Sequence, residues 1–242
     1  MFQRPRRQSL STLQQSQFKI EVRSEVDLAN AIIAASTRHQ STVEFNQGFH
    51  VEIVEPLRLT TKVLIPLEAA GLTVTSPGKV PITASKTLET LFEVNAPNCT
   101  FSNLSVNNTD QQDIGMVFRL KSTARFTQIT NVTAAGDQLV GGDPTPPANT
   151  NITNCQFGIV AGGTAEPKIL LGSLSRAEGN VIPGRLDCTG RETVISGNTV
   201  DGITVTGGGV SGVCSIANNI LNGNTIDTTG ATFGCVISGN VP

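Results

Sequence analysis

Asp110 and Asp113, the first of them closing the run Asn108-Thr109-Asp110, are the acidic residues best placed to act together on one bond. Glycoside hydrolysis needs two carboxylates facing one linkage across a cleft, one to protonate the leaving oxygen and one to attack or to activate water. Spacing alone fits a polar turn as well as it fits that chemistry. Asp137 and Asp143 flank a Gly-Gly and Pro-rich stretch that reads as a loop leaving the fold, the clearest insertion being 136–149. A Ca²⁺ site would need several carboxylates converging, and these two stand alone in the sequence. The only histidines are His39 and His50, so no base of that type follows position 50. Cys99, Cys155, Cys188, Cys214 and Cys235 are odd in number and spread out, with no CxxC pair. They read as small buried apolar side chains in a reducing compartment, neither a disulfide framework nor a metal set. No metal and no cofactor is expected.

The elements that must position these residues repeat. Phe101-Ser-Asn103-Leu104-Ser-Val106, Ile129-Thr-Asn131-Val132-Thr-Ala134 and Ile152-Thr-Asn154-Cys155-Gln-Phe157 share one phrase: apolar, any, Asn, apolar, any, apolar. A looser form puts Gly before the Asn, as in Ile195-Ser-Gly-Asn198, Leu221-Asn-Gly-Asn224 and Ile237-Ser-Gly-Asn240. Taken one per phrase, the asparagines are 103, 131, 154, 180, 198, 224 and 240, at intervals of 16 to 28 residues. Recurrence on this scale marks an array of stacked units. The alternating apolar residues make each phrase a pair of short strands about a sharp corner, and stacking would bury a continuous apolar column. Asn at equivalent corners is expected to form a ladder of side-chain amides.

The N-terminal part follows other rules. Ser24-Glu-Val-Asp27 reads as a capping box. Leu28, Ala31, Ile32 and Ala35 fall at i, i+3, i+4 and i+7, so a short amphipathic helix over about 24–36 is expected to plug the open end of the column. Strand-like runs follow at Val43 and Phe45, at Phe49, Val51 and Ile53, and at Leu57 and Leu59. The order Val26-Asp-Leu-Ala-Asn-Ala31, Thr42-Val-Glu-Phe45, Gly48 and Pro56-Leu-Arg-Leu59 resembles the opening segment of right-handed parallel β-helix proteins of the pectin-lyase-like superfamily. Pectate lyases, polygalacturonases and phage tailspikes belong there, and this chain is closest in character to the phage tailspike and head-decoration members. The resemblance runs from about residue 18 onward. It implies an all-β, single-stranded right-handed parallel β-helix over 18–242, with 1–17 as an extended arm.

The same resemblance sharpens the search for a site. Asn-Thr-Asp occurs in polygalacturonases, but the paired-Asp, Gly-His-Gly and Arg-Ile-Lys motifs that accompany it there are missing here. Arg176, Pro183 and Arg185 resemble the Arg-x-Pro-x-x-Arg element of the lyases at the wrong spacing. The chain also has no Trp and no Tyr, the rings on which sugar grooves stack their ligands. These signs favour a protein that is not an enzyme, with no catalytic residues assigned. The alternatives are a polysaccharide-degrading tailspike-type glycosidase or lyase, and a module that holds a host surface glycan.

Charge is nearly balanced, with 17 basic and 19 acidic residues, which argues against a nucleic-acid partner. Its distribution is uneven. Arg4, Arg6 and Arg7 precede any acidic residue, whereas no Lys or Arg follows Arg191. The basic residues suit charge-assisted contacts to carboxylates on a major capsid or tail protein. The neutral remainder suits packing between copies, and a homotrimer is the common state of the phage proteins that the chain resembles. No apolar run reads as a signal peptide or a membrane span. The expectation is a structural virion protein of a tailed phage, a decoration or spike protein made in the host cytoplasm.

Overall fold

In a computed structural model, the structure describes residues 18–39, 48–84, 88–106, 114–135, 138–143, 147–158, 167–207, 212–223, 225–232 and 234–242. Strand Phe18–Val22 leads into helix Glu25–His39, and from Phe49 onward the chain winds in coils. A coil such as Thr73–Thr75, Pro81–Ala84, Leu88–Val94 contributes three strands. Each strand pairs in parallel with its counterparts in the coils before and after. The first strand of every coil joins a 10-stranded sheet, and the other two join the limbs of a 14-stranded sheet that folds around the column. Parallel strands joined by crossovers take the right-handed path. The molecule is a right-handed parallel β-helix.

Inward residues are those that the alternation selects. Val51, Val74, Phe101, Ile129, Ile152, Ala177, Ile195 and Ile216 stack in register along the 10-stranded sheet, all fully buried. Facing them, Phe92, Phe101 and Phe118 form one aromatic cluster with ring centroids 4.9–5.7 Å apart. These three rings fill the column, whereas Phe126 is exposed.

The corner after the 10-stranded sheet requires left-handed backbone. Asn103, Asn131, Asn154 and Asn218 take φ near +55°, and Gly179, Gly197 and Gly239 take φ near +65° at the same place in their coils. These are the residues that tolerate that region. Each corner N–H donates to a carbonyl one coil further on, as from Asn103 to Thr130 and from Gly197 to Ala217, at 3.1 Å in both cases. Gly179 is needed for a second reason: a Cβ there would lie 2.6 Å from Asn154 Oδ1.

The asparagines of the two phrase forms are not equivalent, which corrects the single ladder expected from sequence. Asn103, Asn131 and Asn154 are the corner residues themselves, whereas Asn180, Asn198, Asn219 and Asn240 follow the corner. The second set makes the inner ladder. Asn198 Oδ1 accepts from the backbone N–H and the side-chain Nδ2 of Asn180 at 3.0 and 2.9 Å. Asn198 in turn donates from both groups to Asn219 Oδ1, and Asn219 repeats the pattern to Asn240. At the other end Asn180 Oδ1 accepts from the Cys155 N–H. Asn219, not Asn224, holds the rung in its coil, because Asn218 rather than Gly223 turns the corner; Asn224 itself lies outside the described residues.

The helix plugs the first coil as expected, and it extends three residues further, to His39. Leu28, Ala31, Ile32 and Ala35 are buried on the column. Its cap is a variant of the capping box. Ser24 Oγ accepts from the Asp27 N–H, but the Asp27 carboxylate accepts from the N–H of Arg23 instead of that of Ser24. Glu25 anchors the helix to the coil: its carboxylate accepts four hydrogen bonds, from the backbone N–H and hydroxyl groups of Thr60 and Thr61.

One expectation fails. Gln138–Asp143 is no loop leaving the coil but a strand, paired with Ile114–Lys121 and Lys168–Leu171, because Leu139 and Val140 turn into the core. The Pro183-Gly184 pair interrupts a strand without ending it. Val181–Cys188 spans both limbs of the larger sheet, with a register shift between Ile182 and Arg185. Pro183 has no N–H to give a ladder, and Gly184 packs so closely on the Pro167 carbonyl that a Cβ would not fit. Val43 and Phe45 lie outside the described residues.

Two outcomes follow from these contacts. Asn198→Ala should cost about 3 kcal/mol or more, since it strands buried donors of Asn180. Asn131→Gly, at an exposed-side corner, should cost less than about 1 kcal/mol, and urea denaturation compares the two. Burial raises the Glu25 pKa, but the bonds from Thr60 and Thr61 outweigh it and hold the carboxyl below its ordinary value. Its stabilising contribution is therefore present above the unfolded pKa and lost as pH falls through the folded one. Glu25→Gln should lower the melting temperature at pH 7, and the difference should close below about pH 4 in melts across pH.

Candidate functional site

The outer face of the 10-stranded sheet is a carpet of polar side chains set by register. One row runs Thr73, Thr100, Gln128, Asn151, Arg176; the next runs Thr75, Ser102, Thr130, Thr153, Glu178. A groove of about 550 Å³ opens over the lower part of it, lined by Gln128, Asn151, Thr153, Arg176, Glu178 and Glu192. Arg176 Nη1 meets Glu178 Oε2 at 3.1 Å with both side chains about half exposed. Thr130 and Thr153 hydroxyls bond each other at 3.0 Å. Amides, hydroxyls, two carboxylates and a guanidinium on one rigid surface can hydrogen-bond a hydroxyl-rich ligand. No local motif marks this groove, since its members come from successive coils at intervals that nothing in the sequence joins.

Two apolar surfaces accompany it. Beside the capping helix, Ile32, Ile33, Val63, Leu64 and Pro66 line a groove of about 430 Å³. On the larger sheet, Val181, Thr199, Ile220 and Val241 stack in register on the outside. Val181, Ile220 and Val241 are exposed. The inner column also becomes open in this region: Ile195 and Ile216 are 0% exposed, whereas Ile237, next in the same row, is 48% exposed.

The residues singled out by sequence are scattered. Arg4, Arg6 and Arg7 lie outside the described residues, as do Asn108, Asp110, Asp113 and Asp137. Asp143 ends a strand, and its side chain is likewise not described. Arg176 sits in the groove, but Arg185 is on the other sheet, where it meets Asp187 and Thr204, so the lyase-like element is split between two faces. His50 is half-buried in strand Phe49–Ile53, and burial and then Lys19 push its pKa below the ordinary value. Among the described residues no group of three or more His, Cys, Asp or Glu is arranged to hold a metal ion. No described helix is long and apolar enough to cross a membrane.

The cysteines correct the sequence reading further. Cys99 and Cys155 are buried singly, and burial pushes their thiols up to about 12 and about 11. Cys188, Cys214 and Cys235 instead converge, with thiol–thiol hydrogen bonds joining Cys214 to each of the other two. Register opposes Cys235 to Cys214, whereas Cys188 pairs with Leu171 and Val205 on the larger sheet.

No protein-family model matches the chain, and no curated protein does. A solved structure does: rice weevil pectin methyl esterase, with a TM-score of 0.37 and 14% identity over 92% of this chain and 81% of that one. The β-helix fold itself is read from the strand pairing of this chain. The expectation that this chain is not an enzyme is withdrawn: a β-helix fold gives no ground for excluding activity, and the matched protein is itself an esterase. The likeness bears on the fold alone and assigns no residue.

Arg176→Ala should change stability by under about 1 kcal/mol, as the ion pair it removes is exposed. If the groove holds sugar, the same substitution and Asn151→Ala should weaken retention of oligosaccharides by about tenfold, one good hydrogen bond's worth, in titration calorimetry.

Proposed function

We propose that the protein is a structural component of a tailed-phage particle, a β-helix decoration or spike protein. In this reading it trimerises through its C-terminal coils and attaches to a capsid or tail protein through residues 1–17. The observation that carries it is the exposed stripe of Val181, Ile220 and Val241, in a region where no Lys or Arg follows Arg191. A surface that is both apolar and short of charge is a poor water-facing exterior and a good subunit contact. Three copies about one axis would bury three such stripes together. The rigid column then serves as a post, and Arg4, Arg6 and Arg7 supply charge-assisted contacts at its base.

A second reading is favoured by the groove of Gln128, Asn151, Arg176 and Glu178: the particle protein also holds a host surface glycan there. The polar rows lie on a different sheet from the apolar stripe, so both readings can hold in one assembly.

Light scattering coupled to size exclusion should give three times the monomer mass. Ile220→Lys should convert it to monomer with an unchanged circular dichroism spectrum, and a wild-type monomer would sink the trimer. Removing residues 1–17 should leave the trimer intact and abolish co-sedimentation with particles.

A further inference from the structure

The three converging thiols have no part in the particle role or in the groove. Cys214 and Cys235 are directly opposed in the parallel pair Val213–Ala217 and Gly234–Ser238. Adjacent strands lie about 4.8 Å apart, inside the about 4.4–6.8 Å range of Cα separations that a disulfide spans. Their side chains also interact in the folded chain. Cys214 is fully buried, whereas Cys235 is only partly buried because it sits on the open side of the column with Ile237. Among the described residues, the strand that carries Cys235 pairs with Val213–Ala217 alone. Cys188 is held differently: its thiol donates to the Gly190 carbonyl at 3.1 Å, and its strand is paired on both sides.

We propose that Cys214 and Cys235 are a disulfide-forming pair, closed by exchange with a small-molecule disulfide, with Cys235 the thiol that reacts first. The Cys235 thiolate attacks one sulfur of the small disulfide, breaking its S–S bond and releasing one small thiol. The Cys214 thiolate then attacks the Cys235 sulfur of the mixed disulfide and expels the second small thiol. Two protein thiols are oxidised, one small disulfide is reduced, and the two protons pass to the departing thiolates. The product ties the outermost described strand of the 10-stranded sheet to its neighbour, and it forms only after the chain meets an oxidising medium.

Tryptic peptides test this on the full-length folded protein. Cleavage after Arg185 and Arg191 places Cys188 in the peptide 186–191, while Cys214 and Cys235 share the long peptide that begins at Glu192. After incubation with oxidised glutathione, alkylation and digestion, the long peptide should be lighter by two hydrogens and carry no alkyl group on either cysteine. Cys188→Ser should leave that product unchanged, and Cys235→Ser should abolish it. A cross-link between the two peptides, a glutathione adduct that persists on Cys235, or full alkylation of Cys214 and Cys235 would each overturn the assignment.

Discussion

The column exists because one residue per coil accepts left-handed backbone and hands its N–H to the coil beyond. Asn103, Asn131, Asn154, Gly179, Gly197, Asn218 and Gly239 occupy that place in turn. The corner sets the angle between the sheets, and the hydrogen bond fixes the rise from coil to coil. Once both are set, the inward residue of each first strand must stack on the one before it. The apolar row, the polar carpet outside it and the inner Asn ladder are consequences of that single repeated constraint.

The Asn ladder shows how strictly the constraint operates. From Asn180 onward the amide sits one residue past the corner, whether Gly or Asn218 turns it, and so at a buried site for Asn180, Asn198 and Asn219. There its oxygen satisfies two donors of the preceding rung, and its Nδ2 reaches a backbone carbonyl of the coil before, as Asn198 does to Ala177 at 3.0 Å. A buried amide with all partners met stiffens the later coils, which lack the large aromatic filling of the earlier ones. The two halves of the column are thus held by different means, ring packing in one and amide bonding in the other.

Function, by contrast, resides on the outside and at the edges, where the constraint leaves side chains free to vary. The polar groove and the apolar stripe each draw residues from several coils and leave the interior unbroken. This division explains why a β-helix can carry unrelated activities on similar columns.

Local pattern determined a good deal. Alternation of apolar residues named most of the inward row, the helix stripe at Leu28, Ala31, Ile32 and Ala35 named the plug, and the Asn phrase named the corners. These are relations among residues a few positions apart, and backbone sterics enforces them wherever they occur. What the tertiary structure alone decided was register between coils. Only stacking reveals that Asn219 rather than Asn224 is a rung, that 138–143 is a strand, that Arg176 and Arg185 face different ways, and that Cys188, Cys214 and Cys235 meet. Intervals of 16 to 28 residues between phrases leave the number of turn residues free, so neighbours across coils are fixed by packing and not by counting.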